Sequence, residues 1–182
     1  MFQSSNLEEV TFGFNSLTGT VPEFSSDTAN LRRVVLCPNF LEGPIPASIY
    51  HHTELFKLGV GDCSFSMRLQ SEIGLLSNLE TFGFSNNENI FGTLPTEIGL
   101  LTDLTHFYGY KNALVGPIPS EIGLMERLEV FVVDGNNLTG TMPSEIGLLS
   151  RLAGFSLGFN QVSGTIPPSF LMLPATGKNC FN

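Results

Sequence analysis

The side chains able to do chemistry in this 182-residue chain are few, and their spacing rules out most reactions. Glu80 and Glu129 lie two periods of a repeat apart, about 9–10 Å if they sit two strands apart in a parallel sheet. His106 has no nucleophile beside it in register, so no Ser/His/Asp or Cys/His set forms. The sequence has no glycine-rich phosphate loop and no acidic metal loop. Cys37, Cys63 and Cys180 make no CxxC pair, which leaves zinc and dithiol redox chemistry without a frame. An enzyme is therefore not expected, and neither is a cofactor or a metal. What remains is the chemistry of recognition. Arg32, Arg33, Phe56 and Lys57 form one group, and His106, Tyr108, Tyr110 and Lys111 form another. Exposed aromatic and arginine side chains are the usual anchors of an interface.

A repeat positions these residues. Leu7, Leu31, Leu55, Leu79, Leu104, Leu128 and Leu152 recur at spacings of 24, 24, 24, 25, 24 and 24 residues. A fixed period in this range marks a solenoid. Residues Pro119 to Pro143 spell one unit in full: PSEIGLMERLEVFVVDGNNLTGTMP. After the first Leu, apolar residues alternate, as in Phe131 and Val133. Period two predicts a short strand with one face inward, and equal direction in every unit predicts a parallel sheet.

Asn15, Asn39, Asn87, Asn112, Asn136 and Asn160 then end the strands. An amide side chain at that place can satisfy backbone groups of its own and the neighbouring repeat, giving a ladder. Cys63 interrupts it. A Gly-x-apolar-Pro bend follows, with Ser66 and Gln70 in its place in the third unit. One extra residue falls between Asn87 and Ile90. The SEIGLL segments predict short 3₁₀ turns on the outer side, with Ser or Thr as cap and Glu in the first turn. Leu75, Leu100, Leu124 and Leu148 are expected to be partly buried under the neighbouring loop.

Composition sets the remaining bounds. The chain is 14% charged and 42% hydrophobic, enough for a core. A formal charge of -9 argues against nucleic acid, which needs a basic stripe. No apolar run reaches the roughly 18–20 residues of a membrane span. The start MFQSSNLEEV lacks the pattern of a secretory leader, which suggests an intracellular protein or a segment of something longer. Cys37 and Cys63 are two positions out of step in adjacent repeats. Straight strands would put their Cα atoms near or beyond the bridging limit of about 7 Å, so both are expected as free thiols.

The outer segment Glu23 to Asn30 lacks the turn pattern, and after Leu173 the repeat breaks at Pro174. Neither end carries a polar capping module, so end-to-end or lateral self-association is open. Asn137-Leu138-Thr139 is a glycosylation sequon, relevant only if the chain is secreted.

The pattern LxxLxxLxLxxNxLxGxIPxxIGxL, matched by Leu128 to Leu149, resembles the plant-type leucine-rich repeat. The resemblance covers residues 1–182 as one domain of about seven repeats. It implies an α/β right-handed solenoid or horseshoe, with a parallel concave sheet and short 3₁₀ turns on the convex side. It also implies an extracellular or membrane-tethered recognition module, similar to receptor-like ectodomains and polygalacturonase inhibitors. The expected function is therefore non-catalytic binding of a protein or peptide on the concave sheet. There the two groups of residues flank a shallow trough of Gly59, Gly61 and Gly83. Inhibition of a secreted cell-wall-degrading glycosidase is the alternative. Binding to a polysaccharide or ice surface is more remote, because Pro44 and Pro117 break the row Thr20, Thr93, Thr141 and Thr165.

Overall fold

The computed structural model describes residues 6–24 and 31–173. Among the described residues thirteen strands alternate between two parallel sheets, β1 to β13 in chain order. The odd strands, at Glu9–Thr11, Arg33–Val35, Lys57–Gly59, Thr81–Gly83, His106–Tyr108, Val130–Val132 and Gly154–Ser156, form a seven-stranded sheet in sequential order. The even strands, at Thr18–Thr20, Phe40–Gly43, Ser64–Arg68, Asn89–Gly92, Ala113–Gly116 and Asn137–Leu138, form a second sheet of six. In the seven-stranded sheet equivalent positions pair from one repeat to the next, as in Phe82 with Phe107 and Phe107 with Phe131, whereas the second sheet is staggered by two residues, as in Gly19 with Leu41. No helix among the described residues is long and apolar enough to cross a membrane.

The inward residues of the repeats build one continuous core. Phe107 stacks on Phe131 at 5.0 Å between ring centres, and Phe131 stacks on Phe155 at 5.7 Å. Aromatic residues thus repeat along the axis, and each ring covers the next. Gly109 stands where other repeats place an apolar side chain. A Cβ there would lie 2.4 Å from the Phe84 ring, so Phe84 occupies the space that Gly109 leaves.

The asparagine ladder is present. The Asn136 Nδ2 donates to the carbonyls of Gly109 and Val133, and its Oδ1 accepts from the Leu114 N–H. Asn39, Asn87 and Asn160 repeat this arrangement. Asn112 makes only its donor half, and its Oδ1 is buried without a partner. The acceptor bond joins residues 22 apart in the other four, which for Asn112 points to Ile90, just past the extra residue.

Cys37 and Cys63 are joined in a disulfide with their Cα atoms 5.9 Å apart, not free as the strand offset suggested. The offset rule fails because both residues lie beyond the ends of β3 and β5, in the turns. Cys63 holds the ladder position, whose side chains all reach diagonally back to a carbonyl about 27 residues earlier. From Cys63 that direction leads to the Leu36–Cys37 segment. A covalent bond replaces the amide at the interruption. Cys180 and Pro174 lie outside the described residues, as does most of the Glu23 to Asn30 segment.

The outer turns are 3₁₀ helices at Ala47–His51, Ser71–Leu75, Thr96–Leu100, Ser120–Leu124 and Ser144–Leu148. The cap differs from expectation. Pro46, Gln70, Pro95, Pro119 and Pro143 hold the cap position, and no side chain caps the turn. Ser71, Thr96, Ser120 and Ser144 are already the first residues of their turns, and their hydroxyls donate to the next Glu instead. Leu75, Leu100, Leu124 and Leu148 are covered only in part and stay more than half exposed. In these four turns the buried side chains are the preceding Ile and the following Leu or Met, as with Ile98 and Leu101, while Tyr50 and His52 are buried at the Ala47–His51 turn.

Glycine sets the spacing of these turns. A Cβ on Gly99 would lie 2.6 Å from the Glu121 carbonyl oxygen, and one on Gly123 would lie 2.7 Å from the Glu145 Cβ. Gly99→Ala must push two stacked turns apart and is expected to lower stability by about 1–3 kcal/mol. Urea denaturation read by circular dichroism measures this. An unchanged midpoint would show that the stacking is loose.

Tyr50 replaces that glycine in the Ala47–His51 turn and is almost fully buried. Burial, with the nearby Glu72 carboxylate adding to it, pushes its phenol up from 10.0 to about 12. Above pH 10 the unfolded phenol ionises while the folded one keeps its proton. The folded chain then binds more protons, and stability falls as pH rises from 10 to about 12. The loss from this group amounts to about 2–3 kcal/mol at most. Tyr50→Phe is expected to flatten that part of the stability–pH curve. An equally steep fall in the variant would assign the alkaline loss elsewhere.

Candidate recognition surface

The outward residues of the odd strands form columns across the first sheet. One column runs Glu9, Arg33, Lys57, Thr81, His106, Val130, and the next runs Thr11, Val35, Gly59, Gly83, Tyr108, Val132. On β5 and β7 the second column is bare backbone, because Gly59 and Gly83 follow one another. The result is a cavity of about 390 Å³. Gly59, Gly61 and Gly83 form its floor. Val35 and the disulfide residue Cys37 bound one side, and Tyr108 and Tyr110 bound the other. Lys57 and Thr81 line it as well, as does Asp62, which lies past the end of β5.

The glycines of this floor differ in what they require. A Cβ on Gly61 would meet the Ser85 backbone at 3.0 Å, so close packing fixes that glycine. A Cβ on Gly83 would meet nothing within 4 Å. Gly83 is thus open by choice of residue rather than by any need of the fold.

Hydrogen bonds hold the rim. The Asn86 Nδ2 donates to the Asp62 Oδ1 at 2.7 Å and lies 3.5 Å from the Tyr110 hydroxyl. Asp62, Asn86 and Lys111 share one position in successive repeats and all adopt positive φ, as Phe14, Gly135 and Phe159 do. The chain leaves these six strands through a left-handed residue, a conformation that Asn and Asp accept more easily than bulky residues do, while Pro38 holds the position after Arg33–Val35. Burial raises the Tyr108 phenol above its ordinary value, and the neighbouring Tyr110 adds to the shift. Tyr108 therefore faces the trough as a neutral hydroxyl.

The sequence candidates divide clearly. Lys57, Tyr108 and Tyr110 line the same trough. His106 lies beside Tyr108, with ring centres 5.8 Å apart, and its Nδ1 is 2.8 Å from the Thr105 hydroxyl. Arg33 approaches Glu9 at 4.0 Å. Arg32 and Phe56 precede the strands and lie outside the trough. Lys111 lines a separate cavity of about 410 Å³ with Asp134 and Phe159. One feature was missed. The disulfide wall was hidden by the offset rule, although a Cys in the Asn position was its signal. Phe14 and Phe159, 89% and 91% exposed, belong to the outward face and fall in neither of the two groups. Asn137 is exposed, as a sequon requires.

The repeats, the two parallel sheets and the amide ladder define a leucine-rich repeat solenoid. The chain has the fold of plant leucine-rich repeat proteins, and structural comparison bears this out. The Arabidopsis receptor kinase HAESA ectodomain, solved with an N-terminally extended IDA peptide hormone ligand, is similar with a TM-score of 0.87 and 29% identity over 93% of this chain. A TDR receptor is similar with a TM-score of 0.82 and 30% identity over 89% of it. The chain spans 28% of each of these ectodomains. A plant ice-binding protein shares the fold alone, with a TM-score of 0.63 and 20% identity over 90% of this chain and 67% of its own. In this chain the threonine row is broken by Arg68 as well as by Pro44 and Pro117. No family model and no curated protein matches the sequence.

Proposed function

We propose that this chain recognises a peptide or an extended protein segment on its seven-stranded sheet, with one ligand side chain seated in the trough over Gly59 and Gly83. The trough itself carries the reading. It lies where two adjacent repeats lack side chains, between Val35 and Cys37 on one side and the half-buried Tyr108 and Tyr110 on the other. Its apolar walls suit a hydrophobic or aromatic side chain. Lys57 and Asp62 give the ligand's polar atoms one charge of each sign.

The similar HAESA ectodomain, solved with the IDA peptide hormone, and the plant peptide hormone receptor RGFR1, solved with RGF2, support recognition of peptides. Arg32, Arg33 and Phe56 extend the same face on one side, and His106 and Lys111 extend it on the other. No catalytic role is part of this reading. The disulfide fits an oxidising, extracellular setting.

Selection of peptides from a displayed library on the immobilised chain supplies the ligand for the test. Tyr108→Ala with Tyr110→Ala is expected to weaken the selected peptides at least tenfold, since aromatic anchors dominate such interfaces. Unchanged affinity in the double variant would remove the tyrosine wall from the site.

A further inference from the structure

The convex side carries a second cavity, independent of the concave sheet. The turns at Ser71–Leu75, Thr96–Leu100, Ser120–Leu124 and Ser144–Leu148 stack through their glycines, and the turn at Ala47–His51 packs less closely on the next. The cause is Tyr50. It stands where the other turns have Gly74, Gly99, Gly123 and Gly147, and those positions leave no room even for a Cβ. Gln70 also replaces the proline that begins the following turn. The two turns part and leave a cavity of about 500 Å³.

Its lining is amphipathic. Ile45, Pro46, Met67 and Tyr50 are buried and apolar-bodied, and the exposed carboxylates Glu23 and Glu72 stand at its rim. His51 is the one basic residue in the lining. Burial keeps the Tyr50 phenol neutral to about pH 12, so the tyrosine offers a ring and no charge. Carboxylates above an apolar and aromatic wall match a cation on an aliphatic stem, whose methylenes pack below while its head pairs above. The exposed Leu75, which also lines the cavity, and Leu100 on the next turn would be covered by apolar neighbours of that cation. That favours a protein segment over a free amine.

We infer that the cleft between the Ala47–His51 and Ser71–Leu75 turns receives an arginine or lysine side chain from a basic, partly apolar segment of a partner protein. The cleft lies on the opposite face from the trough, so either site can fail without the other. The test is a methyl NMR titration with blocked tripeptides. One carries arginine between two leucines, the second carries the neutral isostere citrulline at the centre, and the third carries arginine between two alanines. The first peptide is expected to shift the Ile45, Met67 and Leu75 methyl signals. The citrulline and alanine peptides are expected to bind several-fold to tenfold more weakly. Glu23→Gln with Glu72→Gln, both at exposed positions that keep an acceptor, is expected to cost the arginine peptide at least tenfold. The proposal is overturned if none of these methyls moves up to about 10 mM peptide. It is equally overturned if citrulline binds as well as arginine, if the double variant is unaffected, or if the alanine peptide binds as tightly as the leucine one.

Discussion

Asn136→Ala is expected to lower stability by about 3–5 kcal/mol, among the largest effects of any single change in the chain. The side chain is almost fully buried and makes four hydrogen bonds: to the carbonyls of Gly109, Val133 and Asp134, and from the Leu114 N–H. Alanine leaves these backbone groups in the core without partners, and each such group costs about 1–3 kcal/mol. Asn112→Ala is expected to cost at least about 1 kcal/mol less, because the Asn112 Oδ1 has no partner to lose. Asn15→Ala is expected to cost less still, since Asn15 is exposed in the first repeat and bonds only to Phe12 and Gly13. Urea midpoints of the three variants test the order. If Asn112→Ala proved as costly as Asn136→Ala, the acceptor half of the ladder would contribute nothing.

Loss of the disulfide ranks next. The bond closes a segment of 26 residues, and chain entropy alone gives such a crosslink about 3.5 kcal/mol. Cys37→Ser with Cys63→Ser is therefore expected to lower stability by about 3–4 kcal/mol. It also removes the ladder contact at this one repeat, since serine is too short to replace it. Cys37→Ser with Cys63→Asn should recover part of the loss, because asparagine at 63 is placed to donate to the Leu36 carbonyl as its counterparts do. Calorimetric melting of the two double variants measures the difference. No recovery by asparagine would mean that the third repeat departs from the others in backbone geometry as well as in residue. Cys37 also lines the trough, so both variants are expected to weaken a peptide bound there.

Most of the fold was legible because the repeat reports the same fact seven times. The leucine frame, the period-two strands and the asparagines each imply a parallel stack, and the register of the seven-stranded sheet follows the period. The glycine trough was legible for the same reason: once columns are known, Gly59 and Gly83 fall side by side. Departures from the repeat were harder to read. The Cys37–Cys63 bond depends on how the chain turns after the strand, which strand spacing does not describe. The cap differed because Ser71 and its counterparts lie one residue inside the turn, where a hydroxyl has the next Glu within reach. The convex cleft needed the structure, since only the tight contacts at Gly99 and Gly123 show what a tyrosine at that position must displace.

Gly83→Leu tests whether the ligand is bound in the trough. The site has open space for a Cβ, so leucine should leave the melting temperature nearly unchanged while filling the cavity. Peptides selected on the wild-type chain are expected to lose at least tenfold in affinity for Gly83→Leu by isothermal titration calorimetry. Full affinity for a folded Gly83→Leu variant would place the ligand outside the trough.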